Sequence, residues 1–121
     1  MILIFICACG CGPKSDKTIK FEKAERLDME LDQMAGTADI IVSFHKKPIT
    51  EKADALKAAE AIIEAYLKIY KNFSYDTISI VQYSEDNMWL FSYYTSDVVG
   101  GELCAAVDGN DVRVLKIWME E

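Results

Sequence analysis

The side chains in this 121-residue sequence whose types invite chemistry are few: four cysteines, a single histidine and a scatter of carboxylates near aromatic residues. Cys7, Cys9 and Cys11 form a C-x-C-x-C run in "MILIFICACGCGPKSDK". Thiolates select soft cations such as Cu(I) or zinc, yet zinc sites space their cysteines as C-x-x-C and recruit histidine. The only histidine, His45 in "SFHKKP", has no second histidine or spaced carboxylate, and reads as a loop-edge surface residue. Cys104, in the apolar stretch "ELCAAV", has no basic neighbour to lower its thiol pKa and reads as a small buried side chain. Asp97 with Tyr94 is the nearest acid–base pair available. Asp108-Gly109-Asn110-Asp111 offers too few oxygens, and no distal glutamate, for a calcium loop, so it reads as a hairpin turn. There is no P-loop, G-x-S-x-G or H-E-x-x-H pattern. The expectation is therefore a chain with no catalytic residue, no metal and no cofactor.

The opening stretch admits three readings. "ILIFIC" is a short continuous apolar run, as a buried strand would be. The three cysteines make the soft-metal reading above. The third is processing, because an apolar h-region followed by small residues marks a secretory signal. Ile6-Cys7-Ala8-Cys9 followed by Gly10 resembles a bacterial lipobox, with small residues on either side of the thiol. That resemblance implies lipid attachment at Cys9, with Cys11 as the alternative. It divides the chain into a signal peptide at 1–8, a polar, turn-rich tether at 9–17 and a single domain at 18–121. The run is short and lacks a preceding Lys or Arg, as a true start upstream of Met1 would leave it. Such an anchor holds a protein to a membrane without any spanning helix.

Composition narrows the partners. Thirteen Lys+Arg against twenty Asp+Glu give a formal net charge of -7, and the pI is near 4.7. Nucleic acid binding needs a concentrated basic face, so no nucleic-acid partner is expected and a basic protein suits the chain better. No apolar run reaches the roughly 18–20 residues of a membrane-spanning helix.

The elements that must position these side chains follow from periodicity. Between Glu51 and Lys71, Leu56, Ala59, Ile62, Ile63, Tyr66, Ile69 and Tyr70 fall on one side of a helix, with Lys57, Glu60, Glu64, Lys68 and Lys71 on the other. Thr50 is placed as its N-cap. Strands are expected in "TISIVQY", "MWLFSYYT", "ELCAAV" and "VRVLKIWM", joined by links of hairpin length. The fold class is α+β, a long helix packed on a four-stranded antiparallel meander. Upstream, "AERLDMELDQMAG" has helical spacing with some alternation and is read as a helix, and "ADIIVSF" as a short β-prone run. Period-2 aromatics are mainly sheet core. From that set Trp89, Tyr93, Tyr94 and Trp118 are the candidates for contacting a partner or ligand.

"ADALKAAEAIIEAYLKIY", "MWLFSYY" and "GGELCAAVDGNDVRVLKIW" together resemble the small nuclear-transport-factor-2-fold immunity proteins of bacterial polymorphic toxin systems. The matching positions are Ala58 to Glu60, Tyr70, Trp89, Gly100, Gly101, Asp108 and Val114 to Ile117, within about residues 50–118. The resemblance implies a cystatin-like or nuclear-transport-factor-2-like fold and a non-enzymatic protein that binds and blocks a toxin. "AAVDGNDVRVL" also resembles a PepSY-like domain, with Asn110-Asp111 where Thr-Gly is usual. The expected function is a non-enzymatic binding lipoprotein, immunity-like in its most specific form. Its location is the cell envelope through an N-terminal lipid, or the cytoplasm if the start is not a signal. The alternative is an envelope lipoprotein with a PepSY-like or pocket domain binding a peptide or small apolar ligand, and an isomerase- or dehydratase-like enzyme is the third class.

Overall fold

The computed structural model describes residues 17–27, 48–98 and 100–120. The lipobox with Cys7, Cys9 and Cys11, most of the tether, residues 28–36 of the upstream helix, the "ADIIVSF" run and His45 lie outside the described residues.

The element order is β1 (Thr18–Ala24), α1 (Lys52–Ile69), β2 (Thr77–Tyr83), β3 (Met88–Tyr94), β4 (Glu102–Asp108) and β5 (Arg113–Glu120). The fold is α+β, as expected, but the sheet has five strands, not four, and is mixed. Its spatial order is β1-β2-β3-β4-β5; β1 runs parallel to β2, and each later pair is antiparallel. The extra strand occupies "TIKFEKA", whose last residue, Ala24, is a strand residue and not the start of a helix. Only Ile19 in it is half-buried, so it shows no inside–outside alternation to read. A parallel pair needs a crossover connection, and α1 lies in the one between β1 and β2.

The register aligns three rows on the helix-facing side: Ile19–Ile78–Tyr93–Leu103, Phe21–Ile80–Phe91–Ala105–Ile117, and Gln82–Trp89–Val107–Val114. On these rows α1 buries Ala55, Ala58, Ala59, Ile62 and Ile63. Alanines let the helix axis approach the sheet, and the Tyr93 hydroxyl donates a 2.6 Å hydrogen bond to the Ala59 carbonyl across that interface. The buried stripe thus runs through Ala55 and Ala58, while Ile69 and Tyr70, expected within it, are 61% and 52% exposed. Burying Trp89, Phe91 and Tyr93 completely contributes about 2–3 kcal/mol each. A second cluster, Cys104, Ala106 and Trp118 with Leu90 and Leu115, sits on the opposite face.

Two side chains tie the loops. Asn87, in a left-handed conformation (φ 50), donates from Nδ2 to the Ile49 carbonyl (3.0 Å) and to Asn110 Oδ1 (3.2 Å), and its Oδ1 accepts from Trp89 Nε1 (3.0 Å). This joins the β2–β3 link, the β4–β5 turn and the residues entering α1. Gly109 completes the junction: its N–H donates to the Asn87 carbonyl, and a Cβ there would lie 2.7 Å from that oxygen. At the other end of the sheet, the Asp76 carboxylate accepts from Thr77 Oγ1 (2.7 Å), Ser96 N (3.0 Å) and Ser96 Oγ (3.2 Å). Thr50 is not the helix cap. Glu51 holds the N-cap position with extended backbone and no side-chain bond to the first turn.

Candidate functional site

Because α1 lies over β2, β3 and β4, the edge strand β1 is left largely uncovered among the described residues, and a trough opens between the helix and that edge. It encloses about 370 Å³. Ile63 and Ile78, both buried, form its floor, and Ile19, Leu56 and Leu67 its walls. Glu60 and Glu64, one helical turn apart, are exposed on the rim. Lys17 closes the end nearest Tyr75, donating from Nζ to the Tyr75 carbonyl and lying 4.2 Å over the Tyr75 ring.

Tyr75 connects the trough to the core. Its ring is edge-on to Tyr93 at 5.7 Å and stacked near Phe73 at 6.1 Å. Burial raises the Tyr75 phenol pKa above its ordinary value, and the Glu60 and Glu64 carboxylates raise it further. Tyr93 is pushed well above the ordinary value, first by complete burial, then by Tyr75 and Glu60. Both phenols therefore stay neutral at physiological pH, Tyr75 lining the trough and Tyr93 packed in the core behind it. What the trough offers is an apolar slot with carboxylates at its mouth, a shape that takes an apolar stem bearing a cationic head.

The residues singled out from the sequence do not converge on one surface. Trp89 and Tyr93 are 1% and 0% exposed, and their polar atoms are taken up by Asn87 and by the Ala59 carbonyl. Trp118 is buried in the opposite-face cluster, with its indole N–H donating to the Glu120 carboxylate. These three pack the core and present no ready surface to a partner. Tyr94, half-buried, has the Lys20 ammonium 5.9 Å from its ring. Asp97 is exposed in the turn after β3, and no hydrogen bond joins it to Tyr94 among the described residues. Cys104 is 4% exposed, and burial pushes its thiol up to about 12, so it carries no thiolate near neutrality.

The trough is not legible in the sequence. Helical spacing puts Glu60 and Glu64 on a solvated face, and Tyr75 falls in a link with no element of its own. The only local signal is the one-turn spacing of the two glutamates. Part of their apolar surroundings comes from β1, whose pairing with β2 leaves no trace in the pattern of residues.

Among the described residues, no three His, Cys, Asp or Glu side chains are grouped to hold a metal ion, and no helix is long and apolar enough to cross a membrane. Comparison of the chain with protein-family models, with curated proteins and with solved structures gives no match.

Proposed function

We propose that this chain is a non-enzymatic binding protein, lipid-anchored in the cell envelope through Cys9, that holds a basic protein partner in the trough between α1 and β1. The observation that carries the binding part is the apolar slot rimmed by Glu60 and Glu64 on a chain of net charge -7. Lysine and arginine side chains combine an apolar stem with a cationic head and fit such a slot. In its most specific form the reading is an immunity-type protein neutralising a toxin, in keeping with the cystatin-like or nuclear-transport-factor-2-like resemblance of residues 50–118. The test of binding is titration with a peptide of alternating Lys and Leu, in low and high salt. Salt-sensitive binding that is lost in the Glu60→Lys/Glu64→Lys double variant supports the reading. Binding that ignores both substitutions rules it out. The anchor is tested separately, by fatty-acid labelling of the chain and of its Cys9→Ala and Cys11→Ala variants.

A second reading, a PepSY-like or pocket domain taking a small apolar ligand, is favoured by the aliphatic lining of Ile19, Leu56, Ile63, Leu67 and Ile78. Uptake of a neutral alkyl probe unaffected by salt or by the glutamate substitutions would favour it over the first.

A further inference from the structure

The outer edge of β1 is the second feature that the fold leaves open. Among the described residues it is the terminal strand of the sheet, seven residues long, and six of its seven side chains are exposed. Natural proteins protect such edges with prolines, bulges, short strands or charged side chains, lysine above all, and β1 carries charges of both signs, Lys20, Glu22 and Lys23, that can pair with one another across a two-fold axis. β1 has no proline and pairs with β2 in uninterrupted register, whereas β5, at the opposite edge, is interrupted by a register shift opposite Ala106 and Val107.

From this geometry we infer that β1 pairs with the β1 strand of a second copy of the chain, antiparallel about a two-fold axis through Phe21. Phe21 is the midpoint of Thr18–Ala24, so this register pairs the whole strand with itself. An isologous contact must be self-complementary, and this one is. Lys20 falls opposite Glu22 of the other copy, and Glu22 opposite its Lys20, giving two ion pairs on the face away from α1. On the helix-facing side Phe21, 36% exposed, meets its own counterpart, and Ile19 meets the aliphatic stem of Lys23. The paired edge merges two five-stranded sheets into one of ten, with a trough flanking each side of the axis. This inference is independent of what the trough holds.

The test is a charge-swap cycle on the full-length chain in non-ionic detergent, read by sedimentation velocity over a range of concentrations. The parent chain is expected to show a concentration-dependent dimer. Lys20→Glu alone and Glu22→Lys alone each place two like-charged pairs across the axis and are expected to weaken dimerisation about tenfold. The Lys20→Glu/Glu22→Lys double variant restores opposite charges and is expected to recover the dimer. Circular dichroism of each variant checks the fold. Oxidation of a Phe21→Cys variant gives a second readout, an intermolecular disulfide joining the two substituted positions. A chain that stays monomeric, a dimer indifferent to the single reversals, a double variant no better than the singles, or absence of the disulfide at position 21 would each overturn the inference.

Discussion

Removing the Asn87 side chain tests whether one polar residue holds three loops together. Asn87→Gly is the cleanest perturbation, because glycine accepts the left-handed backbone (φ 50) without the penalty that alanine would add. The substitution strips the Ile49 carbonyl of its 3.0 Å donor and Trp89 Nε1 of its 3.0 Å acceptor. Both belong to buried residues, at 0% and 1% exposure. An unsatisfied buried polar group costs about 1–3 kcal/mol, so losing both costs about 2–4 kcal/mol once partial access of water is allowed. In urea denaturation that is a midpoint shift of about 1–2 M with an unchanged slope. Asn110→Ala is the control: it removes the 3.2 Å partner of Asn87 and a 3.5 Å bond to the Asp86 carbonyl, both exposed, and should cost about 0.5 kcal/mol or less. A midpoint shift for Asn87→Gly no larger than that of the control would refute the reasoning, since the bonds would then be contributing nothing to stability.

Tyr93→Phe removes the 2.6 Å bond to the Ala59 carbonyl while keeping the ring, and is expected to cost about 1 kcal/mol in the same assay. Glu51→Ser supplies the missing side-chain acceptor at the N-cap of α1 and should raise stability by about 0.5–1 kcal/mol, seen as a higher melting temperature. Asp76 has a lowered pKa, chiefly through the Thr77 hydroxyl bond and then through the Ser96 bonds, with Lys17 adding to it. Its contribution is therefore fully present above the unfolded-chain value of roughly 3.9 and is lost as pH falls through the lower folded value. The stability difference between the parent chain and Asp76→Asn should shrink over that acid range, and a difference constant with pH would count against it. Native Cys104, its thiol raised to about 12, should resist alkylation at pH 8 and become labelled only on unfolding, as followed by peptide mass mapping.

Local chemistry makes much of the α+β framework legible from the residues themselves. The charged and apolar faces of α1 repeat at helical spacing, and the helix spans Lys52–Ile69 against an expected 51–71. The four later strands are separated by short polar links, which leave few arrangements other than antiparallel neighbours. Asp108 Oδ1 accepts from the Asn110 N–H at 2.9 Å, as a tight turn requires. Gly100 and Gly101 have φ of 86° and 72°, and nothing lies within 4 Å of a Cβ built on Gly101, so backbone conformation and not space calls for glycine there.

Near neighbours along the chain are enough to specify one long helix, hairpin-linked strands and an acidic composition. Contacts between distant residues settle the rest. β1 gains its strand identity from parallel pairing with residues far along the chain, and an exposed edge carries no alternation to announce it. Among the described residues, the trough arises because α1 settles over the middle strands and leaves that edge open. Aromatic residues look alike in a sequence whether they bind or pack, and it is the packing of both sheet faces that buries Trp89, Tyr93 and Trp118, while Glu60 and Glu64 stay exposed on the rim of the trough. Periodicity records which side of an element is apolar, but which apolar surfaces find one another depends on pairings far apart in the chain, and no local pattern encodes those.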